Sequence, residues 1–459
     1  MEAIDALRAT IPALRVSTDP GDLAHYGRDW TKRWTPAPRA VVFPASTDEA
    51  QRIVQWARAT GTALVPSGGR TGLSGGAVAA HGEVVVSLER MSRILGFDPV
   101  DRTLTVQAGA TLQAVQEAAR AQGLAYPVDF ASRGSCTIGG NIATNAGGIR
   151  VIRHGNTREW VAGLTLVTGN GDVVRLNRGL VKNSSGYDLR HLAIGSEGTL
   201  GIVTEAILRL ADPLPASKVM LLALPSFQAV MDAFVEVRAA LGVQAFEFFT
   251  GEALRHVVAH GAQDPFDAVH PSYALVEFDC TGESDEAAAL GVFERCVGRG
   301  IASDGVLASS EAQATALWRL REGITESIAP VSPYKNDISV RVSALPAFLA
   351  EAQALLAREY PAFEVIWFGH IGDGNLHISI LRPEGMAADD FVARCEHATD
   401  LLVDVLARHD GSISAEHGIG LVKKPWLERM RGAAEVEAMR GIRRVFDPAG
   451  ILNPGKVFD

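Results

Sequence analysis

Cysteine is scarce: four residues in 459, Cys136, Cys280, Cys296 and Cys395, with no CxxC pair among them. That scatter argues against a disulfide framework and a cysteine-ligated iron–sulfur cluster, so any redox chemistry must run through another group. Positive charge is also short. With 43 Lys and Arg against 53 Asp and Glu, the net charge of −10 would repel nucleic acid or an anionic membrane rather than steer the chain onto either. No apolar run approaches the roughly 20 residues that span a bilayer. The start, MEAIDALRAT, lacks the basic-then-hydrophobic order of a secretory signal, so a cytoplasmic location is the default expectation. No internal repeat or low-complexity segment is evident.

Length, by contrast, is ample: 459 residues predict two or three domains able to bury a large ligand. The first half reads as alternating strands and helices. AVVFP (40 to 44), TALVP (62 to 66), VVVSL (84 to 88), TLTVQAG (103 to 109) and LTLVTG (164 to 169) are the strand-like runs, with helices expected near 47 to 60 and 111 to 122. Ser46 and Glu49 have capping-box spacing, and Ile53, Val54 and Ala57 form an apolar stripe behind them. ADPLPAS, near residue 212, breaks the pattern with two prolines and marks a domain boundary. Beyond it, MLLALP and ALVEFDC alternate with amphipathic stretches such as LPAFLAEAQALLAREY (345 to 360). That alternation suits a smaller α+β domain with helices on one face of an antiparallel sheet. Helix returns from about residue 425, before the closing DPAGILNPGKVFD.

PSGGRTGLSGG (66 to 76) follows a strand directly and holds five glycines in eleven residues. Glycine lets successive backbone N–H groups converge on an anion such as a pyrophosphate. A nicotinamide-type Rossmann loop would open a helix with GxGxxG spacing, whereas here the next regular element is the strand VVVSL. Taken alone, the segment also fits a flexible loop. RGSCTIGGNIATNAGG (133 to 148) and GSEGTLGIVTEAIL (195 to 208) repeat the same composition beside strands. Three such segments suggest an extended ligand lying among them.

WFGHIGDGNLHISI (367 to 380) carries His370 and His377 an odd number of residues apart. A straight strand would point them to opposite faces. The intervening IGDGN is turn chemistry, so strand, turn, strand is expected, with both rings on one side of the bend. AEHGIG (415 to 420) offers Glu416 followed at once by His417. Two histidines and a carboxylate match a catalytic zinc arrangement with an open position, although histidines among glycines also commonly bond to backbone. His256 and His260 in RHVVAH have helical metal-pair spacing but no glutamate between them, and are expected on a helix surface; His397 and His409 are expected to be solvated. In RLREGITES, Arg321 and Thr325 share a face if the segment is helical, a pattern that a solvated helix face also produces.

The three glycine-rich stretches resemble the FAD-binding domain of the vanillyl-alcohol oxidase superfamily, and with GHIGDGNLH and EHG the chain resembles its branch of FAD-linked D-2-hydroxy-acid dehydrogenases, from about residue 35 to NPGKVF. The resemblance implies an α+β chain: a two-subdomain FAD-binding domain (1–211), an α+β substrate- and metal-binding domain with an antiparallel sheet (212–424), and a helical C-terminal segment (425–459) completing the FAD and substrate site. It implies that Pro66, Ser67, Gly68, Gly69, Arg70, Thr71, Gly72, Leu73 and Ser74 cradle the FAD pyrophosphate. Ser135, Cys136, Gly139, Gly140, Asn141, Ala143, Thr144, Asn145, Gly147 and Gly148 would follow the isoalloxazine and ribityl chain. Glu197, Gly198, Gly201, Ile202 and Val203 would hold the adenosine end, with Pro127 and Asn453 joining the cofactor set. Some relatives attach FAD through a histidine in the first loop; Arg70 stands at that place, so noncovalent FAD is expected.

By the same resemblance His370, His377 and Glu416 are ligands of a divalent metal such as Zn²⁺, and Arg321, Thr325 and Lys335 bind the substrate carboxylates. Arginine suits that task because its planar fork can hold both carboxylate oxygens. The expected reaction is oxidation of a D-2-hydroxy acid to the 2-oxo acid, with His417 taking the hydroxyl proton and also contacting substrate, and hydride passing to the flavin N5. YKNDISV and the anchor set most resemble the members acting on D-2-hydroxyglutarate. Ser379, a substrate contact by position, stands where the family usually has asparagine, which keeps D-lactate, glycolate and D-malate open. The resemblance suggests an electron-transfer flavoprotein or a quinone as acceptor, and a homodimer is admitted. A flavin- and metal-binding sensor without turnover is the reading from another class; the adjacent Glu416 and His417 favour an enzyme, since a sensor needs no base beside its metal.

Overall fold

A computed structural model of the chain describes residues 2 to 459. The chain divides into two compact units, one of residues up to 148, 154–214 and 416–459, the other of 149–153 and 215–415. The change of unit after Leu214 falls within the proline-punctuated ADPLPAS.

The first unit contains two sheets. Strands β1 (Arg15–Ser17), β2 (Ala40–Phe43), β3 (Leu64–Ser67) and β4 (Val84–Ser87) form a four-stranded sheet in the order β1-β2-β4-β3, parallel except for β1. Its parallel strands are almost continuously buried, as runs such as VVVS require when both faces are covered. Strands β5 (Ile94–Asp98), β6 (Thr103–Gln107), β7 (Val161–Val167), β8 (Val173–Leu176) and β9 (Ile202–Arg209) make an antiparallel sheet in the order β5-β6-β9-β7-β8. The helix Thr47–Thr60 starts where Ser46 accepts the Glu49 N–H, and Ile53, Val54 and Ala57 are buried on its inner face. The Glu49 carboxylate reaches back to the N–H of Ala45 at 2.8 Å, one residue before the usual capping-box partner. Helices Lys424–Arg431 and Ala433–Phe446, separated by Gly432 at φ +80°, also belong to this unit.

The second unit is built on one antiparallel sheet: β10 (Ser217–Leu224), β11 (Val243–Thr250), β12 (Ser272–Asp279), β13 (Asp304–Leu307), β14 (Tyr334–Ser339), β15 (Val365–Gly369) and β16 (Asn375–Ile380), in the order β13-β10-β12-β11-β15-β16-β14. Helices cover both faces, which corrects the one-face expectation. Helices Gly251–Ala259 and Glu311–Glu322 pack Leu254, Val257, Leu317 and Leu320 against Leu221, Phe249, Tyr273 and Phe368. On the opposite face, the helix Phe227–Ala240 sets Phe227 and Phe234 edge-on to Phe248 and Phe246, each pair at 4.9 Å. The reason lies in the strands. AFEFFT and ALVEF place large apolar side chains on both sides of the pleat, so neither face tolerates water.

Candidate active site

The stretch between the two histidines folds as a hairpin of β15 and β16, with Phe368 opposite His377. The odd spacing is resolved at one residue. His370 leaves the strand at φ −83°, ψ 72°, a 3-10 turn spans Ile371–Asp373, and Gly374 closes it at φ +90°. A side chain at Gly374 would meet the Val340 carbonyl oxygen at 2.2 Å, so backbone closure depends on glycine here. The two imidazoles consequently face each other, ring centroids 5.3 Å apart and planes at 84°.

Each imidazole has a carboxylate behind it. His370 Nδ1 lies 2.7 Å from Glu247 Oε1, and His377 Nδ1 lies 3.7 Å from Asp337 Oδ1. Asp337 is buried and accepts from the Asn375 amide at 2.9 Å, which also binds the Ile338 carbonyl. Nδ1 on each ring is thus turned toward a carboxylate, which favours Nε2 for a cation. Beyond the hairpin, Ser412 exchanges backbone hydrogen bonds with Ser339 at 2.7 and 3.0 Å, and the Ala415 N–H donates to the Asp337 carbonyl at 3.3 Å. This pairing carries the chain along β14, at the sheet edge, to Glu416, one peptide bond further on. One ligand atom from each of His370, His377 and Glu416 lies within 4.8 Å of the other two. Two imidazole nitrogens and a carboxylate oxygen suit a divalent cation such as zinc.

Register places the substrate candidates on the same face of the sheet. Lys335 pairs with Ser379 and Asp337 with His377, so all four side chains leave one side of the pleat. Ser379 is buried and Lys335 exposed. Arg321 is buried near the end of its helix, its Nε 2.8 Å from Glu247 Oε2 and its guanidinium 4.9 Å from the Phe368 ring centre. Thr325 follows on the short helix Ile324–Ser327 and is exposed. Glu247 was invisible as a site residue in the sequence; its only signal was a carboxylate inside the apolar strand VQAFEFFT.

The glycine-rich stretches come together in the first unit. The Glu197 N–H donates to the Ala143 carbonyl and the Gly195 N–H to that of Ile142, while Gly198 faces Pro66. The second stretch is not wholly loop: Ile138–Thr144 is helical and ends at Asn145 in the left-handed region. Gly139 serves close packing, since its N–H reaches the Ala108 carbonyl at 2.7 Å and a side chain there would meet Ala108. Gly69 passes so near Ser135 that a Cβ would lie 2.0 Å from its carbonyl oxygen. Gly148 abuts Asp129, two residues past the buried Pro127. Arg70, at φ +57°, stacks on Tyr26 at 4.5 Å and approaches His25 Nε2 at 2.9 Å. Asn453 donates to the carbonyls of Gly76 and Glu197. The Glu197 carboxylate, however, is taken up within the protein, accepting the N–H groups of Ile419 and Gly420 at 2.7 and 2.8 Å. Burial pushes its pKa up to about 7 against the pull of those two donors and of Lys423. Ser67 Oγ, Thr137 Oγ1 and Asn453 Oδ1 are buried without a hydrogen-bond partner among the described residues. A ligand rich in acceptors and donors, such as a dinucleotide, fits such a cradle.

The remaining histidines have other duties. His256 lies 3.0 Å from Glu364 and His260 bonds the His256 carbonyl, which leaves the pair as helix-surface groups. His397 is exposed. The expectation that His409 is solvated is corrected: it lies 2.9 Å from Glu351 and packs edge-on against Phe348, because it caps the long helix Ala388–Arg408 beside a neighbouring one.

The C-terminal domain model of FAD linked oxidases matches residues 214–457, and an FAD binding domain model matches residues 38–177. The chain belongs to the FAD-linked oxidase family. It is an FAD-dependent oxidoreductase. Among relatives, it is 64% identical over 454 residues to a D-2-hydroxyglutarate dehydrogenase of Xanthomonas citri pv. viticola, covering 99% of this chain and 96% of that one. It is 50% identical over 456 residues to the D-2-hydroxyglutarate dehydrogenase of Stutzerimonas stutzeri, covering 99% and 98%. The crystal structure of p-cresol methylhydroxylase with substrate bound superposes with a TM-score of 0.76 at 14% identity, covering 100% of this chain and 96% of that one. That likeness establishes the fold, of vanillyl-alcohol oxidase type, in this family member. No helix among the described residues is long and apolar enough to cross a membrane.

Proposed function

We propose that this family member oxidises a D-2-hydroxy acid, D-2-hydroxyglutarate before D-lactate, glycolate or D-malate, to the corresponding 2-oxo acid. The observation that carries the reading is the pair of facing imidazoles, each backed by a carboxylate, beside the buried Arg321. The name shared by the relatives in Xanthomonas citri pv. viticola and Stutzerimonas stutzeri, D-2-hydroxyglutarate dehydrogenase, supports the choice of substrate.

In this reading His370, His377 and Glu416 hold a divalent cation, zinc by donor type. Arg321 binds one substrate carboxylate through the guanidinium edge that Glu247 does not occupy, and Thr325 and Lys335 supply further donors for a second carboxylate. Ser379 borders the substrate, leaving space that a longer side chain would fill. His417 accepts the C2 hydroxyl proton. Bound FAD supplies the acceptor of the C2 hydride, and the bound cation the Lewis acidity that makes the hydroxyl proton easier to remove. Residues 1–211 are proposed as the FAD domain, 212–424 as the substrate domain and 425–459 as the segment completing the site. An electron-transfer flavoprotein, or else a quinone, is proposed as the onward acceptor, and the cytoplasm as the compartment.

Anaerobic bleaching of the flavin absorption by a panel of D- and L-2-hydroxy acids, with and without chelator, tests this reading. Rapid, chelator-sensitive bleaching by D-2-hydroxyglutarate is expected. Bleaching by none of the panel would favour a flavin-containing sensor.

A further inference from the structure

Glu247 joins two groups that the proposed function assigns to different tasks. It sits on β11 with no exposed surface, among the buried Phe246, Phe248 and Phe249. One carboxylate oxygen lies 2.7 Å from His370 Nδ1 and the other 2.8 Å from Arg321 Nε. Arg321 is buried in turn and stacked against Phe368. Burial of a carboxylate and a guanidinium carries a large desolvation cost before pairing, and apolar residues of similar volume frequently give a fold at least as stable. The strand therefore gains little from a carboxylate as structure alone. Its value lies in what it orients.

We infer that Glu247 is a positioning residue that couples cation binding to recognition of the substrate carboxylate. By taking the Nδ1–H of His370, it fixes the imidazole tautomer and ring angle that present Nε2 to the cation. Through its ion-pair contact with Nε of Arg321, which is not aligned as a hydrogen bond, it leaves the terminal guanidinium nitrogens for the substrate and balances the positive charge that would otherwise be buried alone. Both oxygens are engaged at once. A shift of the carboxylate toward either partner is felt by the other.

This inference rests on the metal and substrate roles proposed above, and its test separates the two. Glu247→Gln is isosteric and removes the charge. In the FAD-loaded protein without substrate, Zn²⁺ affinity is measured by competition against a chromophoric chelator; a loss of about 10- to 100-fold is expected. KM for D-2-hydroxyglutarate, measured at saturating Zn²⁺, should rise in the same variant, whereas the FAD content should not change. A purely structural role would lower the unfolding temperature and leave Zn²⁺ affinity of the folded protein unaltered, and that result overturns the inference. His370→Ala serves as the control: if it too leaves Zn²⁺ affinity intact, the metal site itself is wrong; if it abolishes binding while Glu247→Gln does not, only the inference fails. Should Glu247→Gln not fold, Glu247→Asp decides by the same titration. Its shorter reach cannot serve both partners, so unchanged Zn²⁺ affinity and KM there also overturn the proposal.

Discussion

Arg321 and His417 carry separable parts of the proposed chemistry, and substitution should separate them. Replacing Arg321 by Lys keeps the charge but loses the planar fork and the Nε contact to Glu247. Charge-assisted hydrogen bonds contribute about 1.5 to 3 kcal/mol, so KM for D-2-hydroxyglutarate should rise about 10- to 100-fold in steady-state assays. His417→Ala should instead abolish flavin reduction in stopped-flow mixing while the FAD stays bound; reduction at the wild-type rate would remove His417 from the mechanism. Glu197 gives a pH prediction. Its pKa is raised by burial to about 7 from 4.5, so the folded chain retains a proton that the unfolded chain has released across that interval. Stability contributed by this group is therefore present below about pH 4.5 and lost as pH rises to about 7. Glu197→Gln should flatten this slope in urea denaturation followed across pH 5 to 7.5. The protein accepts that cost, and the ionised carboxylate fixes the amides of Ile419 and Gly420, close after His417.

Among the elements, the β15–β16 hairpin is the most demanding, because it must turn an odd histidine spacing into facing rings. Gly374→Ala tests that demand. A Cβ at φ +90° meets the Val340 carbonyl oxygen at 2.2 Å, and that backbone cannot yield as a flexible side chain would. Strain of this kind costs about 1 to 3 kcal/mol even without a clash. The variant should unfold at lower temperature by calorimetry and bind Zn²⁺ more weakly, because His370 moves with the turn. This hairpin was legible in the sequence since its signals are local: turn residues between two apolar runs. The helix at Thr47–Thr60 was legible for the same reason, from Ser46, Glu49 and an apolar stripe. Glu247 was not, because its partners arrive from the hairpin and from the helix Glu311–Glu322, and nothing adjacent to VQAFEFFT announces them. Nor was the coverage of the seven-stranded sheet on both faces, which depends on where amphipathic helices pack rather than on their existence. The glycines of residues 133 to 148 read as backbone suited to a ligand, and the close approach of Gly139 to Ala108 is a packing role that only the fold creates.

At the scale of the whole molecule, the polar cradle proposed for FAD and the two imidazoles proposed for the cation belong to different compact units, each with its own hydrophobic core. The glycine-rich stretches and Asn453 lie in the first unit and both histidines in the second, while the third proposed ligand, Glu416, begins the last segment of the first. The polar atoms suited to a dinucleotide, Ser67 Oγ, Thr137 Oγ1 and Asn453 Oδ1, owe their positions to β3, to the Thr137 start of a helix and to the C-terminal backbone, none of which uses an imidazole. Removing the cation should therefore leave flavin binding intact while disabling turnover. After dialysis against a strong chelator, the flavin absorption should still elute with the protein in gel filtration, but D-2-hydroxyglutarate should no longer bleach it. Zn²⁺ added back should restore bleaching in proportion to the metal bound, with one ion per chain at the end point. Loss of FAD together with the metal would mean that the two sites are energetically linked, and the separation argued from the two cores would fail. Retention of full bleaching in the metal-free protein would leave His370, His377 and Glu416 with a structural role and place the burden of substrate binding on Arg321, Thr325 and Lys335.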